Sequence, residues 1–125
     1  MKRILIVDDA ATVRMYHRGI LESAGYTVEE AFNGIEALEK ALEAPAPFDL
    51  YVVDVNMPKL DGYGFLRELR QQDIAQQPAI MVSTEAAAGD EAAAFAAGAN
   101  CYLVKPVRSL QLLANVRLML GEVSQ

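Results

Sequence analysis

The chain predicts an α/β fold, a doubly wound parallel sheet of five strands alternating with five helices. Three observations carry this. Short apolar runs at residues 4–7, 50–53, 79–82 and 101–104 alternate with stretches of helical periodicity. Those runs are continuous rather than alternating, as strands covered on both faces are. Each also stops on residues capable of chemistry: Asp8-Asp9, Asp54, Ser83-Thr84 and Lys105. Open parallel sheets gather ligand chemistry at the carboxyl ends of their strands.

In order, the 4–7 run leads into a helix, since Val13, Tyr16, His17, Ile20, Leu21 and Ala24 recur at helical spacing. Thr12 is the expected cap of that helix, and Gly25 its C′ terminator. His17 lies beside the apolar stripe with no second histidine, so a half-buried helix histidine is expected rather than a ligand. The second strand, residues 27–31, is the most polar and suits a sheet edge. Asn33-Gly34 opens a second helix through Ile35, Leu38, Ala41 and Leu42, broken by Pro45 and Pro47. The third strand ends on Asp54, and Met57-Pro58 breaks the chain there. Asp61-Gly62 is a turn or the N-cap of a third helix carrying Phe65, Leu66 and Leu69. A polar loop over Gln71-Gln72-Asp73 precedes the fourth strand. An alanine-rich helix over 86–97 closes on Gly98. The fifth strand exits through Lys105-Pro106, and Ser109 is expected to cap a last helix presenting Leu112, Leu113, Val116 and Leu120. The two runs richest in Ile and Val belong at the centre, which a strand order of 2-1-3-4-5 satisfies. Its switch point, between strands 1 and 3, is where Asp8, Asp9 and Asp54 fall.

At 125 residues, one domain and one core are expected, with no linker and no internal repeat. Hydrophobic residues make up 53% and charged residues 22%, a globular balance. The net charge of −6, from 17 acids against 11 Lys and Arg, argues against nonspecific binding to nucleic acid or an anionic membrane. The single cysteine, Cys101, excludes an internal disulfide and a multi-cysteine zinc site, and its apolar run suits a structural thiol. The first apolar run is too short for a signal peptide or a membrane span, so a cytoplasmic location is expected.

Three carboxylates sharing one crevice repel unless they are neutralised. Oxygen-only ligands with room left for water suit Mg²⁺. Lys105 can hold a phosphoryl oxygen and the Ser83 hydroxyl can donate to another. A nucleophile, a metal and donors together are what phosphoryl transfer to a carboxylate needs. Asp54 is the expected nucleophile because it projects from a central strand between the Asp8-Asp9 pair and the Ser83/Lys105 side. Singly, each part has an innocent reading: an Asp pair can favour a helix's positive end, and Lys105-Pro106 can be only a strand exit. Their coincidence at four strand ends favours the chemical one.

Taken together, Asp8-Asp9, Asp54 with Asn56-Met57-Pro58 and Asp61-Gly62, Ser83, and Lys105-Pro106 resemble the receiver domain of two-component response regulators. Within it, the chain resembles the stand-alone, CheY-like type over its whole length. The 2-1-3-4-5 order is that of the flavodoxin-like fold which CheY itself displays. The resemblance implies that Asp54 is phosphorylated by a histidine kinase. It implies Mg²⁺ held by Asp9, Asp54 and the backbone carbonyl of Asn56, with Asp8 acting through water. Lys105 would contact the phosphoryl group, often with a cis bond to Pro106. Ser83 would move toward that group and draw Tyr102 inward, reshaping the surface of the fourth helix, fifth strand and fifth helix. Asn56 and Glu85 match the pair that tunes dephosphorylation. Val107 departs from the aromatic residue frequent after Lys-Pro, which bears on the output surface and not on the chemistry.

The expected function is therefore a switch in chemotaxis-type signalling, a phosphoacceptor with autophosphorylation and autodephosphorylation only, and no organic cofactor. It is expected to be a monomer without an output domain, acting on another protein such as a flagellar motor switch or another kinase. A phosphate sink or relay intermediate would share all these residues. A Mg²⁺-dependent aspartyl phosphohydrolase is disfavoured because Asp8-Asp9-Ala10 lacks an Asp-x-Asp spacing. A flavin carrier on the same fold is disfavoured because no Ser/Thr/Gly-rich phosphate loop follows the first strand.

Overall fold

The apolar runs become the strands, and residues just outside them set the strand ends. In the computed structural model, which describes residues 2–43 and 47–122, the elements run β1 (Arg3–Val7), α1 (Ala11–Ser23), β2 (Thr27–Ala31), α2 (Gly34–Ala41) and β3 (Leu50–Asp54). They continue as α3 (Gly62–Arg70), β4 (Ala79–Ser83), α4 (Ala88–Ala97), β5 (Cys101–Val104) and α5 (Ser109–Met119). The five strands form one parallel sheet in the order β2-β1-β3-β4-β5, the flavodoxin-like arrangement. The polar β2 is an edge, and β1 and β3 are adjacent. Register places Val7 beside both Ala31 and Val53, Asp54 beside Val82, and Ser83 beside Val104. The strands therefore finish level, and the residues after them share one rim.

Alternation along each strand divides the core into two layers. Leu5, Val7, Tyr51, Val53 and Met81 pack against Phe65, Leu66, Leu69 and Ala94 on one face. Ile4, Ile6, Leu50, Val52, Ile80 and Val82 pack against Leu21, Leu112 and Val116 on the other. Phe65, Leu66 and Leu69 are each fully buried, worth about 1.5–3 kcal/mol apiece by apolar transfer. The Tyr51 ring meets Phe48 and Phe65 edge-on, which fixes the start of β3 against α3.

Several local expectations are corrected. Ala10, not Thr12, is the N-cap of α1, and no side chain caps it. The Asp8 carboxylate accepts from the Ala10 N–H at 2.9 Å instead, so the turn is organised from β1. Arg108 is the N-cap of α5, again with no side-chain bond, and Ser109 is the first helical residue. Asn33 and Asp61 do cap α2 and α3, accepting from Glu36 N–H and Gly64 N–H. The buried face of α2 is Gly34, Ala37 and Ala41, leaving Ile35 and Leu42 exposed. Gly34 packs directly on the Leu60 backbone, where a Cβ would collide with the Leu60 carbonyl oxygen. His17 is fully buried rather than half-buried. The Pro45 break and residues 123–125 lie outside the described residues.

Candidate functional site

The rim is built from loops that the strands launch and their own hydrogen bonds hold. Asp8 follows β1 and remains in register, its N–H donating to the Ala31 carbonyl at 3.1 Å. Asp8 is buried, 1% exposed, while the neighbouring Asp9 is exposed. Asp54, the last residue of β3, is 5% exposed. Carboxylate oxygens of Asp8, Asp9 and Asp54 lie within 4.8 Å of one another.

Lys105 reaches this cluster from the far side of the crevice. Its Nζ donates to Asp54 Oδ1 at 2.7 Å and to Asp8 Oδ2 at 3.0 Å. One ammonium thus faces three carboxylates, and the donor set is oxygen-only and net negative. That is the chemistry a hard divalent cation completes, so the residues present fit Mg²⁺. Burial pushes the Asp54 carboxyl above its ordinary range, and the charges of Asp8 and Asp9 push the same way against the Lys105 bond. For Lys105 burial works to lower the pKa, but the bonds to Asp54 and Asp8 outweigh it and hold the ammonium above its usual range.

The segment after Asp54 folds back over the strand end. Val55 N–H donates to Val82 O at 3.1 Å, and Gly62 N–H returns to Val55 O at 2.9 Å. Lys59 takes a left-handed φ of 70° to turn the loop. A Cβ on Gly62 would sit 2.3 Å from the Asp54 carbonyl oxygen, so only glycine permits this closure. Asn56 begins the loop, exposed, and its carbonyl accepts no hydrogen bond from the described residues.

On the other flank Ser83 is 1% exposed, and its Oγ accepts from the Glu85 N–H at 3.0 Å. The Glu85 carbonyl in turn accepts from the Tyr102 hydroxyl at 2.6 Å. Lys105 N–H donates to Ser83 O at 2.7 Å, and the Lys105–Pro106 peptide is cis. Val107 is buried and its carbonyl accepts from Tyr16.

Asp8, Asp9, Asp54 and Lys105 thus come together directly. Ser83 and Tyr102 are joined to each other through the Glu85 backbone, while Asn56 and the Glu85 side chain stand at the exposed margins. Arg14, which the helical pattern gives no reason to single out, donates to the Asp8 carbonyl at 2.7 Å. His17 burial also escapes the pattern; burial holds its pKa below the ordinary imidazole value, and Nδ1 has no hydrogen-bond partner among the described residues.

The family described as "Response regulator receiver domain" matches residues 4–117. The transcriptional regulatory protein ResD of Bacillus subtilis is 36% identical over 123 residues, 98% of this chain and 50% of its own length. The chain therefore spans half of that relative. The chemotaxis protein CheY1 of Helicobacter pylori is 35% identical over 121 residues, 95% of this chain and 97% of its own. Among solved structures, the receiver domain of a Pseudomonas aeruginosa sensor histidine kinase superposes with a TM-score of 0.87 at 31% identity. That match covers 96% of this chain and 98% of that one, and that structure holds a magnesium ion coordinated in its active site cleft.

Proposed function

The chain belongs to the response regulator receiver domain family of two-component signalling, and from that premise we propose that Asp54 is its phosphoacceptor. The observation that supports this most is the placement of Asp54. It is buried at the end of a central strand, within 4.8 Å of two further carboxylates and 2.7 Å from Lys105. Receiver domains are phosphoacceptor switches, not enzymes in the usual sense, and this site has the parts such a switch needs.

In the proposed reaction a carboxylate oxygen of Asp54 forms a bond to phosphorus as the bond to the imidazole nitrogen of a kinase phosphohistidine breaks. The imidazole leaves with the electron pair. Asp9, Asp54 and the Asn56 carbonyl would hold Mg²⁺, with Asp8 acting through water, as the like ion in the Pseudomonas relative encourages. That ion would neutralise the acids and the developing charge on the phosphoryl oxygens. Lys105 hands its bond from the Asp54 carboxylate to a phosphoryl oxygen, and Ser83 donates its hydroxyl proton to another.

Rotation of the Ser83 side chain toward that oxygen would carry Oγ away from its position 3.0 Å from the Glu85 nitrogen. Its movement frees the Glu85 segment, which Tyr102 grips by its carbonyl. The face of α4, β5 and α5 changes as a result and binds a partner protein. Exposed Phe95, Val104 and Leu110 lie on those elements. The likeness to CheY1 supports a chemotaxis-type role. No helix among the described residues is long and apolar enough to cross a membrane, which accords with a cytoplasmic site of action.

Incubation with acetyl phosphate and, separately, with a phosphate monoester tests the switch. Stoichiometric modification by the first without turnover of the second supports it. Multiple turnover of the ester identifies a phosphohydrolase instead.

A further inference from the structure

We propose that Arg14 is a positioning residue for the acidic turn Asp8-Asp9, and that through Glu30 it makes Mg²⁺ affinity depend on the edge strand β2. The inference rests on Asp8, Asp9 and Asp54 forming the metal site.

The other bonds on this turn fall on Asp8 and Ala10: the Asp8 N–H donates to the Ala31 carbonyl, and the Ala10 N–H and Lys105 Nζ donate to the Asp8 carboxylate. Between the end of β1 at Val7 and the start of α1 at Ala11 stand three residues, two of them acids. The Asp9 side chain is exposed and makes no hydrogen bond among the described residues. Its placement depends on the backbone that carries it. The Asp8 carbonyl and the Asp9 nitrogen share one planar peptide, so whatever fixes that carbonyl fixes the plane from which Asp9 departs.

Arg14 does so, its NH1 donating to the Asp8 carbonyl at 2.7 Å. Its Nε donates to Glu30 Oε1 at 2.8 Å, and its side chain is only 17% exposed. Glu30 is itself pinned, by Arg18 on its second oxygen at 2.6 Å and by Lys40 on its carbonyl at 2.6 Å. The polar character of β2 has a use here beyond marking a sheet edge. A planar guanidinium can span a carbonyl and a carboxylate at once, where a lysine ammonium on a flexible stem reaches one of them reliably. Carboxylates held in place without metal bind it at less cost than ones that must be gathered.

Calorimetric Mg²⁺ titration of the whole chain tests this, with Asp9→Asn as the control for the site. Arg14→Gln should weaken binding about tenfold, the lower end for loss of an outer partner of a metal ligand. The sign is diagnostic, because deleting a positive charge beside a cation site would by field alone tighten binding. Glu30→Gln should weaken it as well, and the double variant should bind no more weakly than Arg14→Gln alone. Arg14→Lys should fall between wild type and Arg14→Gln, and serves if the latter does not fold. In the metal-free protein, hydrogen exchange at the Ala10 amide, now bonded to the Asp8 carboxylate, should quicken in Arg14→Gln. Unchanged or tighter Mg²⁺ binding by Arg14→Gln, with binding lost in Asp9→Asn, overturns the positioning role. Retained binding in Asp9→Asn overturns the site on which it rests.

Discussion

Lys105→Met removes the one cation among the described residues that bonds to the carboxylate cluster, while keeping the apolar stem of the side chain. In the native site Nζ stands 2.7 Å from Asp54 and 3.0 Å from Asp8, whose side chains are 7% and 2% exposed. Deleting one partner of a buried ion pair costs roughly 3–5 kcal/mol, because the other charge is left without compensation. Lys105 is itself 17% exposed, and water can reach the vacated position, so the lower end applies, about 3 kcal/mol. For a chain of this size that corresponds to a melting temperature lower by roughly 12 °C.

The loss must also depend on pH. Burial already holds the Asp54 pKa above its unfolded value, and losing Lys105 raises it further. A carboxyl with a raised folded pKa does no harm while protonated in both states. Stability is lost as pH rises from the unfolded pKa through the folded one. The deficit of Lys105→Met should therefore be larger at pH 8 than at pH 5. Thermal melts in chelator at both values provide the assay. Added Mg²⁺ at tenfold over its Kd should restore about 1.4 kcal/mol. A variant that melts with the wild type at pH 8, or with one deficit at both pH values, would refute the neutralising role of Lys105.

The other predictions concern parts of the same site. Asp9→Ala and Asp54→Ala should each lose Mg²⁺ binding in a calorimetric titration, and their metal-free melting temperatures should rise as carboxylate repulsion is relieved. Gly62→Ala should destabilise by about 1–3 kcal/mol, since its Cβ collides with backbone rather than with a yielding side chain; a denaturant melt matching wild type would contradict this. Ser83→Ala should still be phosphorylated but show fewer amide shifts over α4, β5 and α5. A full set of shifts in that variant would mean that the hydroxyl does not trigger the change.

The strands and their order were legible because a sheet covered on both faces demands continuous apolar runs, and 50–53 and 79–82 supply them. The rim was legible from coincidence: each charged or hydroxyl residue after such a run has an innocent use alone, but four strand ends carry one. Contacts made through backbone atoms were not. Residue types do not reveal that Ser83 and Tyr102 meet through the amide and carbonyl of Glu85, or that Arg14 seeks the Asp8 carbonyl. The Thr12 and Ser109 caps failed because Thr12 sits inside the first turn of α1 and Ser109 inside that of α5, the α1 turn being organised by the Asp8 carboxylate. His17 shows the limit of hydrophobic patterning, which marks a polar residue beside a stripe as half-exposed even where the packing seals it.

Phosphorylation of Asp54 is the central claim, and intact mass measurement tests it most directly. With acetyl phosphate and Mg²⁺ the wild-type chain should gain a single phosphoryl group, lost on addition of chelator before the donor. Asp54→Asn, which keeps the shape of the side chain and removes its nucleophilic charge, should gain none while melting cooperatively. A full phosphoryl gain in Asp54→Asn would place the acceptor elsewhere and contradict the account.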